Sequence, residues 1–208
     1  MDDNAPYRIV NLEQLRAVMG EPNPLTSVKL WCKLEPAAVD FIKASPFLLL
    51  STADRDGNQE VSPKGDGAGF VAVENENTLV IPDRKGNRLL FGLRNILENP
   101  HVGMIFLVPG TEETLRVNGR AELTCDPAIL KRLSARGQPA LVAIRVSVDQ
   151  CFFHCAKAFK RSRLWEQESW PERQKISFGK ILAAKLGGGD SLAARIDAGI
   201  EQDYKKNL

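Results

Sequence analysis

Arg84, Lys85, Asn87 and Arg88 stand close together in the chain, with Gly86 among them. Guanidinium forks suit bidentate binding of a phosphate. Glycine lets the backbone approach a ligand, and an asparagine can cap a following helix whose first N–H groups also favour an anion. The chemistry on offer is a phosphate seat, although an ordinary solvated turn uses the same residues. A second group lies between Cys151 and Trp165 and leaves three readings open. Cys151, His154 and Cys155 could ligate a metal, but they lack the second cluster of a structural zinc site, and no metal is expected. Alternatively the segment is a substrate wall, with His154 as a proton donor near neutral pH, Lys157 and Arg161 one helical turn apart as an anion clamp, and Trp165 as a stacking surface. The structural reading makes the cysteines small buried residues and leaves the cations solvated. His101, after a helix-breaking proline, reads as structural, and Arg116 and Arg120 as dimer or solvent contacts.

These residues need elements to hold them. Met1 to Pro6 is polar and reads as loose. Asn11 caps a short helix from Leu12 to Met19 that Gly20 ends. Residues 21–32 read as irregular, and Pro36 opens a helix to Ala44. Phe47 to Thr52 and Gln59 to Gly65 read as a hairpin around Asp56-Gly57. Phe70 to Glu74 pairs with Thr78 to Pro82, and an amphipathic helix over Leu89 to Glu98 follows the basic turn. His101 to Val108 is an apolar strand. Thr114 to Leu123 alternates, with Leu115, Val117, Gly119, Ala121 and Leu123 on one face. Asp126 and Pro127 start a helix that stops near Gly137. Ala140 to Val148 is the last strand, with Cys151 to His154 continuing past Asp149. The fold class expected is mainly β within α+β. It is a closed or partly closed barrel of six to seven antiparallel strands with peripheral helices. A helical C-terminal extension follows, amphipathic from Ile176 to Leu186. Gly187 to Gly189 is a flexible break, and a last helix carries Leu192, Ile196 and Ile200 on one face, for docking on the barrel or on a partner subunit.

Composition excludes several classes. The 208 residues are 43% hydrophobic and carry a formal net charge of +2, so one core is expected and no general affinity for nucleic acid. Four cysteines and no apolar leader point to a reducing cytoplasm, and no apolar run is long enough for a membrane span.

The order Phe47-Leu48-Leu49-Leu50-Ser51-Thr52, Val61-Ser62-Pro63-Lys64-Gly65-Asp66, Ile81-Pro82-Asp83-Arg84-Lys85-Gly86-Asn87-Arg88, Asn99-Pro100-His101-Val102-Gly103 and Leu115-Arg116-Val117-Asn118-Gly119-Arg120-Ala121 resembles the pyridoxamine 5'-phosphate oxidase-related family of FMN-binding split barrels. The likeness covers residues 36–165, leaving 1–35 and 166–208 as extensions. It looks closest to the flavoprotein branch with a Phe-Phe-His-Cys-Ala-Lys segment, here Phe152 to Lys157. The resemblance implies a homodimer with FMN in a cleft between subunits, acting on a small-molecule substrate. Arg84, Lys85, Asn87 and Arg88 would take the phosphate, flanked by Ile81 and Pro82. Val61, Ser62, Pro63 and Lys64 would run along the isoalloxazine, with Lys64 and His154 as catalytic candidates and His154, Lys157, Arg161 and Trp165 as substrate candidates. Gln59 stands where the founding oxidases have arginine, and no Trp-Arg-x-x-Arg-Leu-x-Pro run occurs, so a substrate other than pyridoxamine phosphate is expected. The function implied is an FMN-dependent oxidoreductase taking electrons from a reduced nicotinamide or a small organic substrate. A non-catalytic FMN or haem binder is the alternative, with a deazaflavin enzyme third.

Overall fold

The computed structural model describes residues 7–207, so the Met1 to Pro6 segment lies outside the described residues. Helix α1 spans Leu12–Met19, with the Asn11 side chain accepting from Gln14 N–H, and ends at Gly20 with φ 75°. A single turn, α2 (Leu25–Val28), interrupts the stretch expected to be irregular. Helix α3 (Pro36–Ala44) has proline in its first turn and buries Ala38 and Ile42. Then come β1 (Phe47–Ala53), β2 (Gln59–Gly65), β3 (Ala72–Asn75), β4 (Thr78–Asp83), α4 (Phe91–Glu98), β5 (His101–Leu107), β6 (Thr114–Thr124), α5 (Pro127–Arg132) and β7 (Val142–His154). The chain ends through α6 (Lys157–Ser162), a 3-10 turn (Gln167–Ser169), α7 (Phe178–Lys185) and α8 (Asp190–Asn207). No described helix is long and apolar enough to cross a membrane.

The seven strands form one antiparallel sheet in the order β2-β1-β5-β6-β7-β4-β3. Alternation sets its inner face. Leu50 lies opposite Met104, Met104 opposite Val117, and Val117 opposite Cys151, all four buried. Gly119 permits the shift in register that lets β6 follow β7. A Cβ there would sit 2.2 Å from the Ser147 carbonyl oxygen, a distance no packed side chain tolerates.

The sheet is not closed, a difference from full barrel closure with a simple cause. β3 is short and pairs only with Thr78 to Val80 of β4, so Ile81 to Asp83 has no strand on its outer side. β2 pairs with β1 alone. Two free edges therefore remain, and side chains rather than backbone bonds join them. Lys64 of β2 pairs with Asp83 of β4, and Asp66 with Arg84.

Beyond β7, α7 and α8 pack chiefly on each other. Gly179 makes this possible, since a Cβ there would lie 2.1 Å from the Ala193 carbonyl oxygen. Asp197 accepts from Ser177 Oγ at 2.5 Å and Gly179 N–H at 2.8 Å, which holds its carboxyl below the ordinary value of 3.8. The three glycines expected as a break separate α7 from α8, with Gly187 at φ 67° and Gly188 packed against the Leu192 side chain.

Candidate cofactor site at the open seam

The alternation of β2 decides which of its residues meet the seam. Ser62, Lys64 and Asp66 are half-buried on one side, whereas Val61 and Pro63 are exposed on the other. The sequence-derived run Val61 to Lys64 is thus split between two faces. Gly92 of α4 lies beside this strand, where a Cβ would be 3.7 Å from Ser62 Oγ and 3.6 Å from Thr52 Oγ1. Along β4, Ile81 is fully buried and Pro82 is buried too, so the Ile81 side chain belongs to the core and only its backbone can face a ligand.

At the seam Lys64 and Asp83 keep only 20% and 15% of their side chains exposed. Asp66, 7% exposed, accepts from Arg84 Nε at 3.1 Å and from Arg136 Nη1 at 3.2 Å. One guanidinium nitrogen, Arg84 Nη1, is buried with no hydrogen-bond partner. Buried donors are nearly always satisfied, so this one points to an acceptor supplied by a ligand. Alongside lies a cavity of about 300 Å³ bordered by Asp66, Gly67, Phe70, Arg84, Arg132 and Ser134.

The remaining basic residues are exposed. Lys85 donates to Asn207 Oδ1 of α8 at 3.0 Å. Asn87 accepts from Leu89 N–H at 3.0 Å, closing an Asx turn instead of capping the helix. The helix begins later because Arg88 (φ 61°) and Leu90 (φ 59°) adopt left-handed conformations, and its cap residue is Leu90, with no side-chain bond. The expected union of basic turn and helix N-terminus therefore does not form at Asn87. Asp66, Asp83, Arg132 and Arg136 were not singled out as site residues from sequence. Asp66 is signalled by its period-two spacing from Lys64, whereas Arg136 sits in a turn without any pattern.

The Cys151 to Trp165 group stands elsewhere. Asp83 lies opposite Val142, the first residue of β7, and His154 is its last. Twelve residue steps separate these ends, about 40 Å along an extended strand. Across the sheet the separation is shorter, since Gly65 lies opposite Phe47, Phe47 opposite Leu107, and Thr114 opposite His154, which puts His154 four strand spacings, about 19 Å, from the end of β2. His154, Lys157 and Arg161 are exposed. Trp165 donates Nε1–H to the Thr111 carbonyl at 2.9 Å and stacks on Phe159 at 5.7 Å, so one face of its ring is already taken. Cys151 is buried, its Sγ 3.0 Å from the Lys33 carbonyl oxygen, and burial pushes its thiol pKa up. Among the described residues no group of three His, Cys, Asp or Glu could hold a metal ion. All four cysteines are free. Gln59 and His101 line a different hollow of about 350 Å³ with Ser51, Asn118 and Asp149.

The family model described as pyridoxamine 5'-phosphate oxidase matches residues 34–155, more than half of the chain. No curated protein matches significantly. Among solved structures, a candidate pyridoxamine 5'-phosphate oxidase of Lactobacillus delbrueckii is 25% identical, with 59% of this chain and 95% of that one covered and a TM-score of 0.46. An FMN-binding protein of Syntrophomonas wolfei is 10% identical, with coverage of 69% and 97% and a TM-score of 0.46. The haem storage protein HutZ of Vibrio cholerae is 19% identical, with coverage of 58% and 94% and a TM-score of 0.43.

Proposed function

The chain belongs to the pyridoxamine 5'-phosphate oxidase family, and from that premise we propose that it binds FMN at the seam and works as an oxidoreductase. Its reductant is a reduced nicotinamide or a small organic substrate. The observation that carries the reading is the unpartnered, buried Nη1 of Arg84 between the two free strand edges. A guanidinium fixed through Nε by Asp66 offers its remaining donors to a phosphate without further ordering. Lys85 and Arg88, exposed on the same turn, add charge around it, and Asn87 shapes the turn.

Bound FMN would supply the hydride and electron transfer; the chain supplies orientation and electrostatics. The outer edge of β2, paired with β1 on its other side only, offers the outward-pointing backbone groups of alternate residues in the Val61 to Lys64 run for the polar edge of a flavin ring, Pro63 having no N–H to give. Ser62 adds a hydroxyl on the seam side. Lys64, held by Asp83, places a cation there that favours an anionic reduced ring. Ile81 and Pro82 form the rigid wall behind. In this reading the functional unit is a homodimer, with His154, Lys157 and Arg161 as the residues that meet the substrate.

Arg84→Ala tests the assignment. FMN affinity falls by about 1.5–3 kcal/mol, the worth of a charged hydrogen bond, while riboflavin, which lacks the phosphate, binds as before. Fluorescence titration of both ligands measures this, and equal FMN affinity in variant and parent removes Arg84 from the site.

A further inference from the structure

The run Phe152-Phe153-His154 at the end of β7 divides between two faces. Phe153 turns inward, edge-on to Trp31 at 6.0 Å and to Phe41 at 5.4 Å, so alternation sends Phe152 and His154 outward. Arg116 lies opposite Phe152 on β6, and its guanidinium carbon sits 5.3 Å from the centre of the Phe152 ring. Lys29 reaches the same ring, with Nζ 6.0 Å from the centre. The segment before α3 brings it there. Trp31 exchanges backbone hydrogen bonds of 2.9 and 2.8 Å with Cys151, which lays that segment along the side of β7 away from β6.

Neither cation forms an ion pair among the described residues, and the half-buried Arg116 side chain makes no hydrogen bond to them. Two positive charges gathered at one ring repel each other, and an anion between them offsets that repulsion. A guanidinium over an aromatic face is oriented on that side, while its planar fork of N–H donors remains for a carboxylate or a phosphate. Arg120, farther along β6, differs in both respects: it is exposed and lies over no ring.

We propose that Arg116, seated on Phe152 and flanked by Lys29, is a second oxyanion site, which takes the phosphate or carboxylate group of a small molecule on the outer face of the sheet. It shares no residue with the Arg84 seat at the seam. His154 stands on the same face, in the strand pair next to Arg116 and Phe152. An anion on the Arg116 fork therefore places the rest of its molecule beside that imidazole. In the function proposed above this makes the substrate an anion, a step that rests on that reading; the anion site itself does not.

The test is nuclear magnetic resonance of the full chain labelled with nitrogen-15, without FMN. The arginine Nε–H signals are followed as inorganic phosphate or acetate is added at constant ionic strength, with chloride as the blank. The Arg116 signal is identified by its loss in Arg116→Lys. It shifts and saturates in the millimolar range with phosphate, with acetate or with both, which tells the group the ligand carries, while the Arg120 signal stays in place. Phe152→Leu removes the ring and keeps every charge, and Lys29→Gln removes the second cation. Each weakens the apparent affinity about threefold or more. Circular dichroism verifies that Phe152→Leu folds, and the exposed Lys29→Gln decides alone if it does not. A shift no larger than with chloride, a shift that disappears in Arg84→Ala, or parental affinity in every folded variant of Phe152 and Lys29 overturns the proposal. The titration contains no flavin, so a protein that fails to bind FMN loses the seam reading and leaves this result untouched.

Discussion

Arg84 combines three properties that rarely coincide: a side chain only 24% exposed, one nitrogen anchored to Asp66, and another buried without a partner. Its neighbours on the turn lack them. Lys85→Ala and Arg88→Ala should therefore cost less than about 1 kcal/mol in FMN binding, the scale of exposed charge contacts, against the larger loss for Arg84→Ala. Equal losses at all three positions, measured by the same titration, would point to a diffuse basic surface rather than a fixed seat. Lys64→Gln tests the other end of the seam. Removing a cation beside the ring lowers the reduction potential of bound FMN, and a redox titration that finds it unchanged separates Lys64 from the flavin. The basic turn was legible as a cluster because its cations are adjacent in the chain. Asp66 and Asp83 stood in the same motifs without a role, since pairing across the seam is a property of two strands far apart in sequence. Arg136 was invisible, because only the fold brings its turn to Asp66.

Among elements, strands announced themselves through alternation. Leu48 and Leu50, or Leu115 and Val117, could face the core only as β-structure, and the caps at Asn11 and Asp126 formed as their sequence demands. The start of α4 was misread because left-handed Arg88 and Leu90 carry no residue-type signature; glycine or asparagine is the usual mark of that conformation. Glycines at close approaches are equally hard to read. Gly119→Ala and Gly179→Ala each force a Cβ into a carbonyl oxygen at 2.2 Å and 2.1 Å, and each should destabilise its element by about 1–3 kcal/mol. For Gly119 this is seen in global denaturant unfolding, for Gly179 in amide exchange confined to α7 and α8. The helical pair also carries a pH dependence. The folded Asp197 carboxyl lies below its ordinary 3.8, held there first by the Ser177 hydroxyl and then by the Gly179 N–H. A lowered carboxyl stabilises the fold above the unfolded value and loses that contribution as pH falls through the folded one. Amide protection factors in α7, which remove the intrinsic pH dependence of exchange, should thus be flat above about pH 5 and fall below 3.8, and Asp197→Asn should abolish the dependence. An Asn variant that keeps the acid transition would assign it to another carboxylate.

For the whole molecule, the sequence led to a closed or partly closed barrel of six to seven strands, and the structure is a seven-stranded sheet left open at one seam. Which of the two forms it takes depends on the length of β3, and strand ends are weakly encoded. The opening is the feature on which the proposed function rests. An open seam supplies free backbone groups, a fixed guanidinium and a cavity, where a fully hydrogen-bonded barrel would supply only a packed wall.

The central claim is that the seam holds FMN. It is tested most directly by the absorption spectrum of the purified protein, before and after excess FMN followed by desalting. The account predicts two flavin bands, in the near-ultraviolet and the blue, that survive desalting in the parent protein and are washed from Arg84→Ala under the same conditions. A haem Soret band, or a protein that retains no chromophore after FMN is supplied, would contradict it.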